Sequence, residues 1–168
     1  MTKRVLVAGI GNIFNGDDGF GCEVARRLVA RDVPDDVSVA DFGIRGIHLA
    51  YELLEGYEAL VLVDATPQGG EPGTLYLIEI GADDAADAPA DAHSMDPSQV
   101  IAQVRALGRT DLRIVLVGCE PASVDEEMGL SPVVEAAVDG AVQAVLDLVS
   151  EPGRLRPMAS AGSSGCSR

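Results

Sequence analysis

The hydrophobic positions of this chain fall into short continuous runs separated by stripes of helical period. Val5-Leu6-Val7-Ala8 and Ala59-Leu60-Val61-Leu62-Val63 are apolar at every position, the pattern of strands buried on both faces. Val37 to Asp41 alternates, and Thr74 to Ile80 and Leu112 to Val117 bring the predicted strands to five. Helical stripes lie between them: about Gly19 to Val29, then Ile47 to Leu54 with Ile47, Ala50, Tyr51 and Leu54 on one face. Ser98 to Leu107 follows, with Val100, Ile101 and Val104 inward. The last helix has Ser131 as N-cap and Pro132 at its first position. Its apolar stripe is Val134, Val138, Ala141, Val142, Val145 and Val149.

Strands alternating with helices predict a single three-layer α/β/α domain over residues 1–150. The Pro- and Gly-rich link from Ala65 to Pro72 is too short for a parallel crossover, which takes roughly a dozen residues or more. The fourth strand is therefore expected to run antiparallel to the third, making the five-stranded sheet mixed. The Ala- and Asp-rich stretch from Gly81 to Pro97 carries His93 and reads as a solvated loop. Beyond Ser150 the periodicity is lost, and residues 151–168 read as a disordered tail holding Cys166.

Composition narrows the partners. Only 4% of the residues are aromatic, so the core is expected to be Val, Leu, Ile and Ala. A formal net charge of −15 disfavours nucleic acid and anionic membrane surfaces. A basic segment or a metal cation suits such a chain, and acidity also serves solubility alone. No apolar run is long enough to span a bilayer, and the N-terminus lacks the apolar segment of a signal peptide. The three cysteines, Cys22, Cys119 and Cys166, are far apart and have no CxxC spacing. A reducing cytosol, hence a cytoplasmic protein, is the natural expectation.

The chemistry concentrates in Gly9-Ile10-Gly11-Asn12-Ile13-Phe14-Asn15-Gly16-Asp17-Asp18-Gly19-Phe20-Gly21, a glycine-rich turn between a strand and a helix. A dinucleotide fingerprint needs G-x-G-x-x-G, but the glycine after Gly11 is Gly16, two positions late. A pyrophosphate would also meet Asp17 and Asp18. Asp41, ending the second strand, is the one feature placed like a ribose-binding acid, and no nucleotide cofactor is expected. Of the two adjacent acids, one is expected to cap the helix and the other to face a cleft.

In α/β sheets ligands gather beyond the carboxyl ends of parallel strands. If the first and third strands are neighbours, a carboxylate from Asp17 or Asp18 shares one crevice with Asp64. His93 could join them. Two carboxylates and an imidazole suit a divalent transition metal, nickel, zinc or similar. His48 sits in a helical pattern and reads as surface or packing. Cys22 reads as helix and Cys119 as a strand end, poor positions for a Cys–His nucleophile pair. A pepsin-like dyad would need Asp-Thr-Gly, whereas Asp64 precedes Ala65-Thr66.

Several motifs in order then carry a resemblance. Gly9-x-Gly11-Asn12 with Asp17-Asp18-Gly19-x-Gly21 resembles the N-terminal signature of the nickel–iron hydrogenase maturation endopeptidases. Asp41-x-Gly43 with Gly46, Leu62-Val63-Asp64-Ala65, Pro72-Gly73-Thr74, His93, Gly118-Cys119-Glu120-Pro121 and Gly129-Leu130-Ser131-Pro132 follow in the family's order. The resemblance spans roughly Val5 to Val149. It implies a cytosolic protease that removes a C-terminal extension from the hydrogenase large-subunit precursor after nickel insertion. It places the family's metal ligands, and with them the catalytic roles, on Asp18, Asp64 and His93, the nickel being supplied by the substrate. Asp18 stands where members have Asp or Glu. Ile44 departs from the Thr that many members carry, which bears on substrate choice. A non-catalytic nickel-handling assembly partner would use the same three side chains, and a nucleotide-binding oxidoreductase is the remaining alternative.

Overall fold

The computed structural model describes residues 4–80, 97–108, 111–150 and Leu155. Five strands, β1 (Val5–Ile10), β2 (Val37–Gly43), β3 (Ala59–Ala65), β4 (Leu75–Ile80) and β5 (Arg113–Cys119), form one sheet in the order β2-β1-β3-β5-β4. The first four in that order are parallel; β4 runs antiparallel. Its partner is β5, because β5 enters the sheet between β3 and β4. The mixed sheet is as expected, but β4 is not the neighbour of β3.

The side-chain alternation of these strands sorts the core by shape. Val5, Val7, Val61, Val63, Val115 and Val117 point to one face, where they meet Phe20, Val24, Leu28, Val138 and Val145. Those residues belong to α1 (Phe20–Val29) and α4 (Pro132–Ser150), which pack on each other. Leu6, Leu60, Leu62, Ile114 and Leu116 point to the opposite face. There they meet α2 (Gly46–Glu52), its 3-10 extension Leu53–Glu55, and α3 (Pro97–Ala106). Continuous apolar strands become a three-layer domain because both faces must be covered.

The second helix turns a different side inward than its sequence suggests. Leu49, Ala50 and Leu53 are fully buried, whereas Ile47 and Tyr51 are 58% exposed and Leu54 43%. Two apolar stripes compete on this short segment, and the one reaching Leu6, Leu60 and Leu62 wins. Residues 81–96, with His93, and all of the predicted tail except Leu155 lie outside the described residues. Leu155 itself is buried among the valines of the α1/α4 face. Among the described residues no helix is long and apolar enough to cross a membrane.

Candidate active site

Glycines bring the site's backbone segments together. An added Cβ on Gly21 would strike the carbonyl oxygens of Val63 and Ile10, and one on Gly9 the carbonyl oxygen of Gly21. Helix α1 therefore sits on β1 and β3 with no room for a methyl. Gly11 has a φ of +132° and lies between the acids: its added Cβ would meet the Asp18 carbonyl oxygen and come within 3.3 Å of Asp64 Oδ1. The glycine spacing is thus accounted for by close backbone packing.

The Asp18 backbone and the Asp64 carboxylate both approach Gly11 because β1 and β3 are neighbours, Gly9 standing opposite Val63. Asp64 ends β3 and is 3% exposed. Asp18 is half-buried on a 3-10 turn (Gly16–Gly19) and accepts a 2.9 Å hydrogen bond at Oδ2 from the Asn12 N–H. No trio of His, Cys, Asp or Glu drawn from the described residues alone is placed to hold a metal ion. His93, the third expected side chain, lies outside them. His48 is exposed, as read.

Neither adjacent acid caps α1 with its side chain, which corrects the capping expectation. Asp17 turns away from the crevice and is 1% exposed. Its Oδ2 accepts from the N–H groups of Ala122 (2.7 Å) and Ser123 (3.0 Å) and from the Ser131 hydroxyl (2.8 Å). Its Oδ1 accepts from the Ser131 N–H at 2.7 Å. Burial works to raise this carboxyl, but the bonds from Ser131, Ser123 and Ala122 outweigh it and hold it below its ordinary value. Ser131 does stand at the head of α4, its carbonyl accepting from Glu135 N–H, yet its hydroxyl serves Asp17 instead of capping.

These features coincide with a known family. A model of the hydrogenase maturation proteases matches residues 22–148. The chain belongs to the hydrogenase maturation protease family. The hydrogenase 2 maturation protease of Escherichia coli is 30% identical over 158 residues, 89% of this chain and 93% of that protein. The hydrogenase expression/formation protein HupD of Bradyrhizobium diazoefficiens is 34% identical over 160 residues, 91% of this chain and 81% of its own. Among solved structures, the hydrogenase maturating endopeptidase HybD from E. coli superposes with a TM-score of 0.74. It is 28% identical and the match covers 92% of this chain and 97% of that one.

Two further features of this maturation protease bear on its chemistry. Cys22 Sγ lies 3.6 Å from the Gly11 carbonyl oxygen. Burial pushes its thiol far up, and the carboxylates of Asp41, Asp64 and Asp18 push it further. Burial, with Asp17 and Glu120, pushes Cys119 up to about 11. A nucleophilic cysteine needs the opposite shift, so these thiols are packing groups. The same field shows that Asp41 belongs to the acidic neighbourhood of the site, a placement its strand-end position could have signalled.

The second feature is Glu120, which fixes the loop following Asp64. Its Oε1 accepts from the N–H groups of Gln68 and Gly70 and from the Tyr76 hydroxyl, each at 2.8 Å. Tyr76 foremost, against the opposing effect of burial, and the N–H groups of Gln68, Gly70 and Gly69 hold this carboxyl below its ordinary 4.5. A depressed carboxyl contributes stability that is full above its unfolded value and is lost as pH falls through its folded value. Glu120→Gln is therefore expected to lower the melting temperature at neutral pH, with the gap to wild type closing below pH 4.5. Melting curves from pH 7 to pH 3 (roughly the range over which carboxylates titrate) check this; a gap independent of pH contradicts it.

Proposed function

We propose that this maturation protease is a cytoplasmic endopeptidase that removes the C-terminal extension of a nickel–iron hydrogenase large-subunit precursor. On this reading the nickel belongs to the precursor, and Asp18, Asp64 and His93 recognise it. The observation that supports the reading is the approach of the Asp18 backbone and the Asp64 carboxylate to Gly11, with the charges of both acids acting on Cys22, in a chain of this family. Carboxylates and an imidazole suit a borderline cation such as nickel. Without a thiolate, the set favours metal already held by the substrate's own ligands, which would couple cutting to nickel insertion.

Hydrolysis requires a water deprotonated as it attacks and a carbonyl whose oxygen can take negative charge. The substrate's cation supplies polarisation at that oxygen. A carboxylate beside it, Asp64 or Asp18, accepts the water's proton and returns it to the departing amine. Catalysis and metal recognition thus fall on the same side chains.

The test is mass spectrometry of nickel-loaded precursor after incubation with Asp18→Ala or His93→Ala. Each is expected to slow cleavage by about 100-fold, roughly 2.7 kcal/mol. Cleavage at the wild-type rate by either variant rejects the role assigned to that residue. A non-catalytic assembly partner would leave the precursor's mass unchanged with every variant, wild type included.

A further inference from the structure

We propose that Asp17 is a positioning residue for substrate capture: it holds the loop 121–131 as one wall of the cleft beside Asp18 and acts on the reaction only through that loop. The inference rests on the endopeptidase reading and adds to it a part for the acid that touches neither Asp64 nor the crevice.

The loop has little of its own to hold it beyond Leu130 against the core and the Asp125 N–H to Ser123 hydroxyl bond. From residue 121 to residue 131 no side chain is buried, and Val124 and Met128 are 54% and 65% exposed. Burial therefore supplies little of its order, and polar bonds to the turn 15–17 supply it instead. The N–H of Gly16 donates to the Glu127 carbonyl at 2.7 Å, and that of Asp17 to the Ser123 carbonyl at 2.9 Å. The Asp17 carboxylate gathers both ends of the loop, Ala122 and Ser123 at one and Ser131 at the other. A single buried charge thus closes a segment that would otherwise sample many conformations, and removing it would leave three N–H groups without their acceptor.

What the loop builds faces a polypeptide. Met128, Gly129 and Leu130 line a cleft of about 380 Å³ with Ile13, Cys22 and Asp41. The cleft reaches the site through Cys22, which touches Gly11, and through the turn that carries Asp18. Ile13 and Met128 are exposed apolar groups in that lining. Such a lining suits an apolar side chain of an extended peptide, and methionine adapts to varied shapes. Fixing the wall beforehand removes an ordering cost from binding. Chemistry at Asp18 is untouched, because the Asp18 carboxylate bonds Asn12 and not the loop.

The experiment measures KM, kcat and melting temperature with nickel-loaded precursor for wild type, Asp17→Asn, Ser131→Ala and Met128→Lys. Asp17→Asn is expected to raise KM about tenfold or more with kcat within about threefold of wild type, the pattern of lost binding without lost transition-state contact. Ser131→Ala, which removes one of the four bonds, is expected to move KM about threefold in the same direction. Met128→Lys leaves the Asp17 bonds intact and is expected to raise KM alone. A fall in kcat at unchanged KM for Asp17→Asn would overturn the proposal by placing Asp17 at the reacting atoms. A lowered melting temperature with both constants unchanged would overturn it as a purely structural role. Should Asp17→Asn fail to fold, wild-type KM in both Ser131→Ala and Met128→Lys overturns it equally. Absence of cleavage by wild type would instead overturn the endopeptidase reading beneath it.

Discussion

Gly21→Ala is expected to cost about 3 kcal/mol or more, the upper end for overpacking and a large part of the roughly 5–15 kcal/mol that keeps a domain folded. The added methyl would meet the carbonyl oxygens of Val63 and Ile10, the latter at 2.5 Å. Neither is the free end of a flexible side chain. Both belong to central strands hydrogen-bonded on two sides, so helix α1 must move away from the sheet. That movement opens the contacts of Phe20, Val24 and Leu28 with the valines beneath them. It also displaces Cys22 and the turn bearing Asp18, so activity should fall together with stability. Thermal unfolding should show a melting temperature lower by about 10–15 °C. Gly140→Ala is the matched control. Its Cβ would meet only the Leu75 Cδ1 atom, at 3.1 Å, inside helix α4. There alanine improves helix propensity by about 1 kcal/mol, and a small gain or no change is expected. A Gly21→Ala protein melting within about 2 °C of wild type would contradict the close-packing account of the glycine motif.

The sheet was legible because each central strand carries its message in four or five consecutive residues. Valines to one side and leucines to the other leave no polar face, and only a sheet covered by helices on both sides accommodates that. The partner of β4 was not legible: a short link forbids a parallel return but does not say which strand will stand alongside. Helix α2 misled because Ile47, Tyr51 and Leu54 make as good a stripe as Leu49, Ala50 and Leu53, and only the underlying sheet decides between them.

At the site, the expectation that Asp17 or Asp18 shares a crevice with Asp64 rested on one condition, that β1 and β3 be neighbours, and the register meets that condition. The division of labour between Asp17 and Asp18 did not follow. Local capping rules see a helix start, whereas the groups that claim Asp17 come from more than a hundred residues downstream. Glu120 was hidden for the same reason, since its partners, the Tyr76 hydroxyl and the N–H groups of Gln68 and Gly70, come from another part of the chain.

The second large effect expected is an all-or-none dependence on the precursor's nickel. Asp18 and Asp64 are acids 46 residues apart in sequence, and the fold brings the backbone of one and the carboxylate of the other against Gly11. On the proposed ligand set, a cation shared by both carboxylates and the imidazole would relieve the repulsion between the two acids. A precursor bearing nickel would supply the cation together with the bond to be cut. One without it would be met by negative charge alone. The difference in cleavage rate should exceed about 1000-fold, roughly 4 kcal/mol.

Intact-mass measurement of the large-subunit precursor, nickel-loaded and nickel-free, after incubation with the wild-type protease tests this claim most directly. The account predicts a loaded precursor shortened by its C-terminal extension and a nickel-free precursor of unchanged mass. Equal shortening of both, or of neither, would contradict it.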